Sequence, residues 1–144
     1  MKNFIKDKKQ LINKGYIIKK VEKKSSLEYI NRFFKKNILT SPYTDRNKIK
    51  KFSFNNLHKY IEIKDLNKVR LNLIHSMNKD NNFRKHFFIL AKETLFNMVG
   101  NELAMQNNIN LSIQFPDDVS SLLPLHADTW SGDSPFESVL WLPL

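Results

Sequence analysis

Cysteine is absent from the 144 residues. Disulfides and thiolate metal sites are therefore excluded, and any metal must be held by His, Asp or Glu. Glycine is scarce, at three residues, and no glycine-rich or arginine-rich motif occurs. No apolar run is long enough to span a bilayer. The opening stretch MKNFIKDKKQLINKGYIIKK breaks every apolar run with lysine. It has neither a hydrophobic central region nor a small-residue cleavage site, so it does not read as a secretory signal. The cytoplasm is the expected location, and no membrane partner is expected. Internal repeats and low-complexity linkers are absent, and the length suits a single domain over 1–144.

Basic residues are missing after Lys92. Residues 1–92 hold all 24 Lys and Arg and 7 of the 14 acids, a formal +17, and residues 93–144 hold the other 7 acids, a formal −7. A basic front can attract nucleic acid or an anionic surface. Here the bases are 20 Lys against 4 Arg, in a chain crowded with Asn, Ile and Phe. An AT-rich coding sequence produces that mixture by codon bias alone, and base readers rely on Arg for bidentate contacts. A nucleic-acid partner is not expected. The acidic back third suits a site for a cation.

What is present reads as helices followed by strands. Gly15 to Val21 reads as a short strand. Ser25 and Glu28 form a capping-box pattern, and Leu27, Ile30, Phe33 and Phe34 follow at helical spacing, which predicts a helix over 26–39 ended by Ser41-Pro42. Residues 42–56 read as loop. Asp65 is placed to cap a second helix with Leu66, Val69, Leu73, Ile74 and Met77 as its buried stripe. NNFRKHFFILAKETLFNMVG reads as one further helix, with Phe83, Phe87, Leu90, Ala91, Thr94, Leu95 and Met98 on one side and Gly100 as its C-cap. Ile109 to Phe115 then alternates apolar and polar residues without a break, a period-2 strand whose Ile109, Leu111, Ile113 and Phe115 face a core or the helices. Pro116 and Asp117-Asp118 end it. Residues 122–128 and 136–142 are two more strand candidates, joined by the turn formers TWSGDSP. The layout implies an α+β domain with an antiparallel sheet.

His126-Ala127-Asp128 is the sharpest chemical signal. On a strand, residues i and i+2 project to one face, so an imidazole and a carboxylate would converge. Those two ligand types suit Fe(II), whose facial triad needs a second histidine and leaves positions open. An isolated H-x-D is common and carries little; its surroundings decide its meaning. Gln106, Asn110-Leu111-Ser112-Ile113-Gln114, Pro116, Leu125-His126-Ala127-Asp128, Trp130-Ser131-Gly132-Asp133-Ser134-Pro135-Phe136 and Trp141-Leu142-Pro143-Leu144 together resemble the sporadic-carbohydrate-cluster branch of the Fe(II)/2-oxoglutarate-dependent oxygenases, relatives of the phytanoyl-CoA dioxygenases. The first 100 residues match only as a helical lead-in.

The resemblance implies the first strands of a double-stranded β-helix, or jelly roll, over 101–144. It implies that His126 and Asp128 bind Fe(II), and that 2-oxoglutarate is the co-substrate, oxidised to succinate and CO₂ while a substrate C–H bond is hydroxylated. The substrate class it suggests is a sugar or a precursor of surface polysaccharide. Gln106, Asn110, Ser112 and Gln114 share a parity and are candidates to line the co-substrate pocket. Trp130 is the candidate to stack on a sugar ring. Asp133 is expected to close the turn, and Trp141 to lie in a core.

The family pattern also needs a second histidine and a Lys or Arg for the far carboxylate of 2-oxoglutarate, both downstream of H-x-D. The chain ends 16 residues after Asp128, and His58, His75 and His86 all precede the motif. The expectation is an N-terminal fragment of such an oxygenase that alone binds Fe(II) poorly and turns over no 2-oxoglutarate. Two other readings are a non-catalytic cupin-like sugar-binding or scaffold protein and a basic nucleic-acid-binding module built on residues 1–92.

Overall fold

The apolar spacing at Ile30, Phe34 and Ile38 makes one face of a long helix, and that face organises the molecule. The computed structural model describes residues 2–119, 122, 124–134 and 136–144. The helices are α1 (Lys2–Lys14), α2 (Lys24–Thr40), α3 (Leu57–Tyr60), α4 (Leu66–Lys79), α5 (Asn81–Ile89) and α6 (Lys92–Val99). Short 3₁₀ turns cover Arg46–Lys48, Phe54–Asn56, Ile63–Asp65 and Asp128–Ser131. Helix α2 packs on α4 and α5. Ile30, Phe34 and Ile38 meet Leu66, Val69, Leu73 and Met77 of α4 and Phe83 of α5 in one buried cluster. The ring of Phe83 sits 4.8 Å from that of Phe33 and 5.4 Å from that of Phe34. Each large apolar side chain so buried stabilises the fold by about 1.5–3 kcal/mol, and edge-on aromatic pairs add to this.

The expected fold class is overturned. The described residues contain six helices and no strand, so the α+β jelly roll is replaced by an all-helical architecture with extended segments laid on it. The stretch 15–21 forms neither strand nor helix. Residues 136–142 and the described part of 122–128 are likewise unpaired, Leu123 lying outside the described residues. The segment 109–115 shows why. Ile109, Ile113 and Phe115 are buried on the helices and Asn110, Ser112 and Gln114 are exposed, as the alternation requires. Its backbone, however, finds a side chain rather than a strand. The Asn78 amide accepts from Ile109 N–H at 2.7 Å and donates to Ile109 C=O at 3.0 Å, taking the place of a ladder pair. Alternation specifies which side chains are covered; it does not specify what satisfies the backbone groups.

Several helix expectations are also revised. Helix α1 is an addition to the expected set, its apolar positions being interrupted by lysines. Helix α2 begins one residue before Ser25, and its N-terminus has no side-chain cap from Lys23. The expected helix over residues 81–100 is two, broken where Ala91 adopts φ −135° and ψ 17°. The Glu22 carboxylate caps the second, accepting from Glu93 N–H at 3.1 Å, Thr94 N–H at 2.9 Å and Thr94 Oγ1 at 2.6 Å. A carboxylate at a helix N-terminus satisfies orphan amides and meets the positive end of the dipole. Gly100 ends α6 with its N–H on Phe96 C=O at 3.1 Å. Asp65 occupies the expected position before α4 but makes no capping bond, pairing with Lys68 instead. The loop at 42–56 contains two of the 3₁₀ turns. Trp141 is solvent-exposed rather than in the core.

Candidate metal-binding site

His126 and Asp128 converge, though not on a strand. Ala127 is extended at φ −118° and ψ 136°, and Asp128 opens the 3₁₀ turn Asp128–Ser131. Gly132 closes that turn in the left-handed region at φ 95°, where its N–H reaches back to the carbonyls of Asp128 and Thr129. A side chain would be strained there. The extended-then-turned path brings His126 Nε2 to 3.5 Å from Asp128 Oδ1.

The other ring nitrogen is already committed. His126 Nδ1 lies 2.7 Å from the Pro124 carbonyl oxygen, which can only accept, so Nδ1 carries the proton. In the neutral ring the lone pair is then on Nε2, on the side of Asp128. A backbone carbonyl that fixes tautomer and ring orientation is the usual support of a metal-bound histidine. Metal bonds from His N and Asp O of roughly 2.0–2.2 Å would put two such atoms about 3 Å apart. The observed separation requires only a small rotation of either side chain. The donor types and their spacing therefore fit Fe(II) as two ligands. A third is not assembled: no group of three His, Asp or Glu able to hold a metal occurs among the described residues.

The remaining candidates are not gathered around this pair. Gln106, Asn110, Ser112 and Gln114 are exposed, and no hydrogen bond among the described residues ties them to His126 or Asp128. Trp130 shares the turn with Asp128, its N–H on Ala127 C=O at 2.9 Å, and its ring is largely open to water. The side chains of His126 and Asp128 are 43% and 60% exposed, so no closed pocket surrounds them. A cleft of about 440 Å³ lies elsewhere, lined by Arg32, Lys35, Lys51, Phe52, Phe54 and Leu144 among others.

A second polar cluster lies between α2 and α5. Ser26 Oγ and His86 Nδ1 share a hydrogen bond at 3.0 Å, the His86 ring stacks on Tyr29 at 4.1 Å, and Tyr29 Oη donates to Asp80 at 2.7 Å. A Ser beside a His raises nucleophilic chemistry as a question. The answer here is structural. Ser26 is only 2% exposed, and Asp80 holds Tyr29 rather than orienting the histidine. Nothing in the spacing of Ser26, Tyr29, Asp80 and His86 along the chain signals this cluster; only the crossing of α2 on α5 creates it. His58 packs edge-on against Phe115, and His75 is exposed on α4.

Comparison with family models, with curated proteins and with solved structures found no match. No helix among the described residues is long and apolar enough to cross a membrane.

Proposed function

We propose that His126 and Asp128 are two of the three protein ligands of a non-haem Fe(II) centre, and that this chain serves an Fe(II)/2-oxoglutarate-dependent oxygenase acting on a sugar or polysaccharide precursor. The observation that carries the reading is the placement of His126 Nε2 3.5 Å from Asp128 Oδ1 while the Pro124 carbonyl holds the other ring nitrogen. The motif resemblance over residues 106–144 supplies the reaction class. The jelly roll that the same resemblance implies is absent from the described residues, so the reading stands on the pair, its support and the motif. Fe(II) held there would supply dioxygen activation, with 2-oxoglutarate as the electron source. The chain's own part is to present one imidazole and one carboxylate in fixed order and to leave the remaining positions open. The fit to 2-oxoglutarate is poorer, since residues 93–144 contain no Lys or Arg to meet its far carboxylate.

The test is anaerobic titration of the full chain with Fe(II), or with Co(II) as a spectroscopic substitute. Weak binding to a single site is expected, weakened a further tenfold or more, on the order of a ligand-shell loss, in His126→Ala and in Asp128→Ala. Equal binding by wild type and both variants would sink the reading.

A further inference from the structure

Helix α1 contributes no residue to the buried cluster and leaves both of its isoleucines open to water. Asp7, Gln10 and Leu11 are half-buried, whereas Ile5 and Ile12 are 63% and 74% exposed. At 3.6 residues per turn the two isoleucines lie within about 20° of each other and roughly 160° from the mean direction of the half-buried three. The chain that follows continues the exposure, with Tyr16 and Ile18 also open. Asp7 is bound to Lys19 at 2.5 Å, which ties this stretch back to α1.

Lysine surrounds this face. Residues 2–24 hold nine Lys against Asp7 and Glu22, a formal +7. Lys6, Lys9, Lys14, Lys20, Lys23 and Lys24 are exposed and, among the described residues, have no carboxylate within salt-bridge distance. Low overall hydropathy, exposed isoleucines one above the other and flanking lysines are properties of a helix that lies in the plane of an anionic bilayer. We propose that α1 docks on an anionic lipid surface, with Ile5, Ile12 and Ile18 at the headgroup boundary and the lysines against lipid phosphates. This reverses the expectation of no membrane partner: lysine-broken apolar runs exclude a span, not surface attachment. Charge selects this occupant over a second copy, because two such faces would each bring +7 together. Nucleic acid would match the lysines but offers its phosphate backbone no apolar surface to cover the isoleucines.

The experiment is co-sedimentation of the full chain with vesicles of phosphatidylcholine alone and of phosphatidylcholine containing phosphatidylglycerol. Binding to the anionic vesicles only is expected, falling as salt rises. Ile5→Asn with Ile12→Asn should weaken it by at least about tenfold while leaving the helical circular dichroism unchanged, since both side chains are exposed. Equal binding to neutral and anionic vesicles, or full binding by the double variant, would overturn the proposal. So would self-association in lipid-free buffer that the double variant abolishes, which assigns the face to a second copy. Isoleucine-independent binding to single-stranded RNA with no binding to vesicles would overturn it in favour of nucleic acid.

Discussion

Asp80 shows what a single carboxylate contributes at a helix junction. It accepts from the backbone N–H of Asn82 at 2.8 Å and of Phe83 at 3.3 Å, and from Tyr29 Oη at 2.7 Å. Burial pushes its carboxyl up, but the hydrogen bonds from Tyr29 and the two amides, aided by nearby His86, outweigh burial and hold it below its ordinary value of 3.8. The same bond raises the Tyr29 phenol, with burial and the Asp80 charge acting in the same direction. A carboxylate depressed in the folded state stabilises above its unfolded pKa, and that stabilisation is lost as pH falls through the lower folded value. Asp80→Ala should cost about 1 kcal/mol near neutrality, as the loss of an N-cap does. In urea unfolding the gap between wild type and Asp80→Ala should narrow as pH drops below 3.8. A gap independent of pH would show that the charge has no part in the cap. At this same scale the candidate site was half legible. His and Asp two residues apart signal convergence whether the backbone is a strand or an extended step into a turn. The Pro124 carbonyl that orients the ring was not legible, because backbone groups carry no residue signature.

At the scale of elements, long-range capping decides boundaries that local propensity leaves open. Phe83, Phe87, Leu90, Thr94 and Met98 keep a helical spacing across Ala91, so nothing local marks a break. Glu22, some 70 positions earlier, supplies the carboxylate that starts α6. Glu22→Ala should destabilise by about 1 kcal/mol and let the amides of α6 exchange faster than those of α5. Unchanged exchange in α6 would mean that Glu22 is not its cap. Asn78 does the corresponding work for the extended segment. Replacing it by Leu leaves Ile109 N–H and C=O without partners at a residue that is itself buried. A loss of about 1–3 kcal/mol is expected from that unsatisfied pair. Asn78→Asp should recover part of it, keeping the acceptor for Ile109 N–H, and equal losses from the two variants would argue against the bond. The strand expectation at 109–115 thus foresaw burial and missed pairing, since the partner is one amide on α4 rather than a second run of alternating residues.

At the scale of the whole molecule, the helical part and the last two dozen residues are built on different terms. The buried cluster draws on α2, α3, α4 and α5 and on Ile109, Ile113 and Phe115, and of the last residues only Leu142, among those described, packs against it. Beyond it Leu125, Phe136 and Val139 are exposed, and Trp130 and Trp141, the only tryptophans in the sequence, are 75% and 78% exposed. The apolar character of this stretch was plain from the sequence, and it led to strands and a core position for Trp141. An apolar run is buried only where another element covers it, and in this stretch the covering reaches Leu142, half-buried against the cluster, but neither tryptophan. Both indoles should therefore emit as water-exposed chromophores and be quenched by acrylamide nearly as well before denaturation as after. Unfolding followed by far-ultraviolet circular dichroism should report the cooperative loss of the helices, while tryptophan emission changes little across the same transition. Coincident, large changes in the two signals would show that Trp130 and Trp141 are packed with the core. Addition of Fe(II) to a site at His126 and Asp128 should quench emission from Trp130, which shares the turn with Asp128, and His126→Ala should remove that quenching. Persistence of the quenching in His126→Ala would place the metal elsewhere.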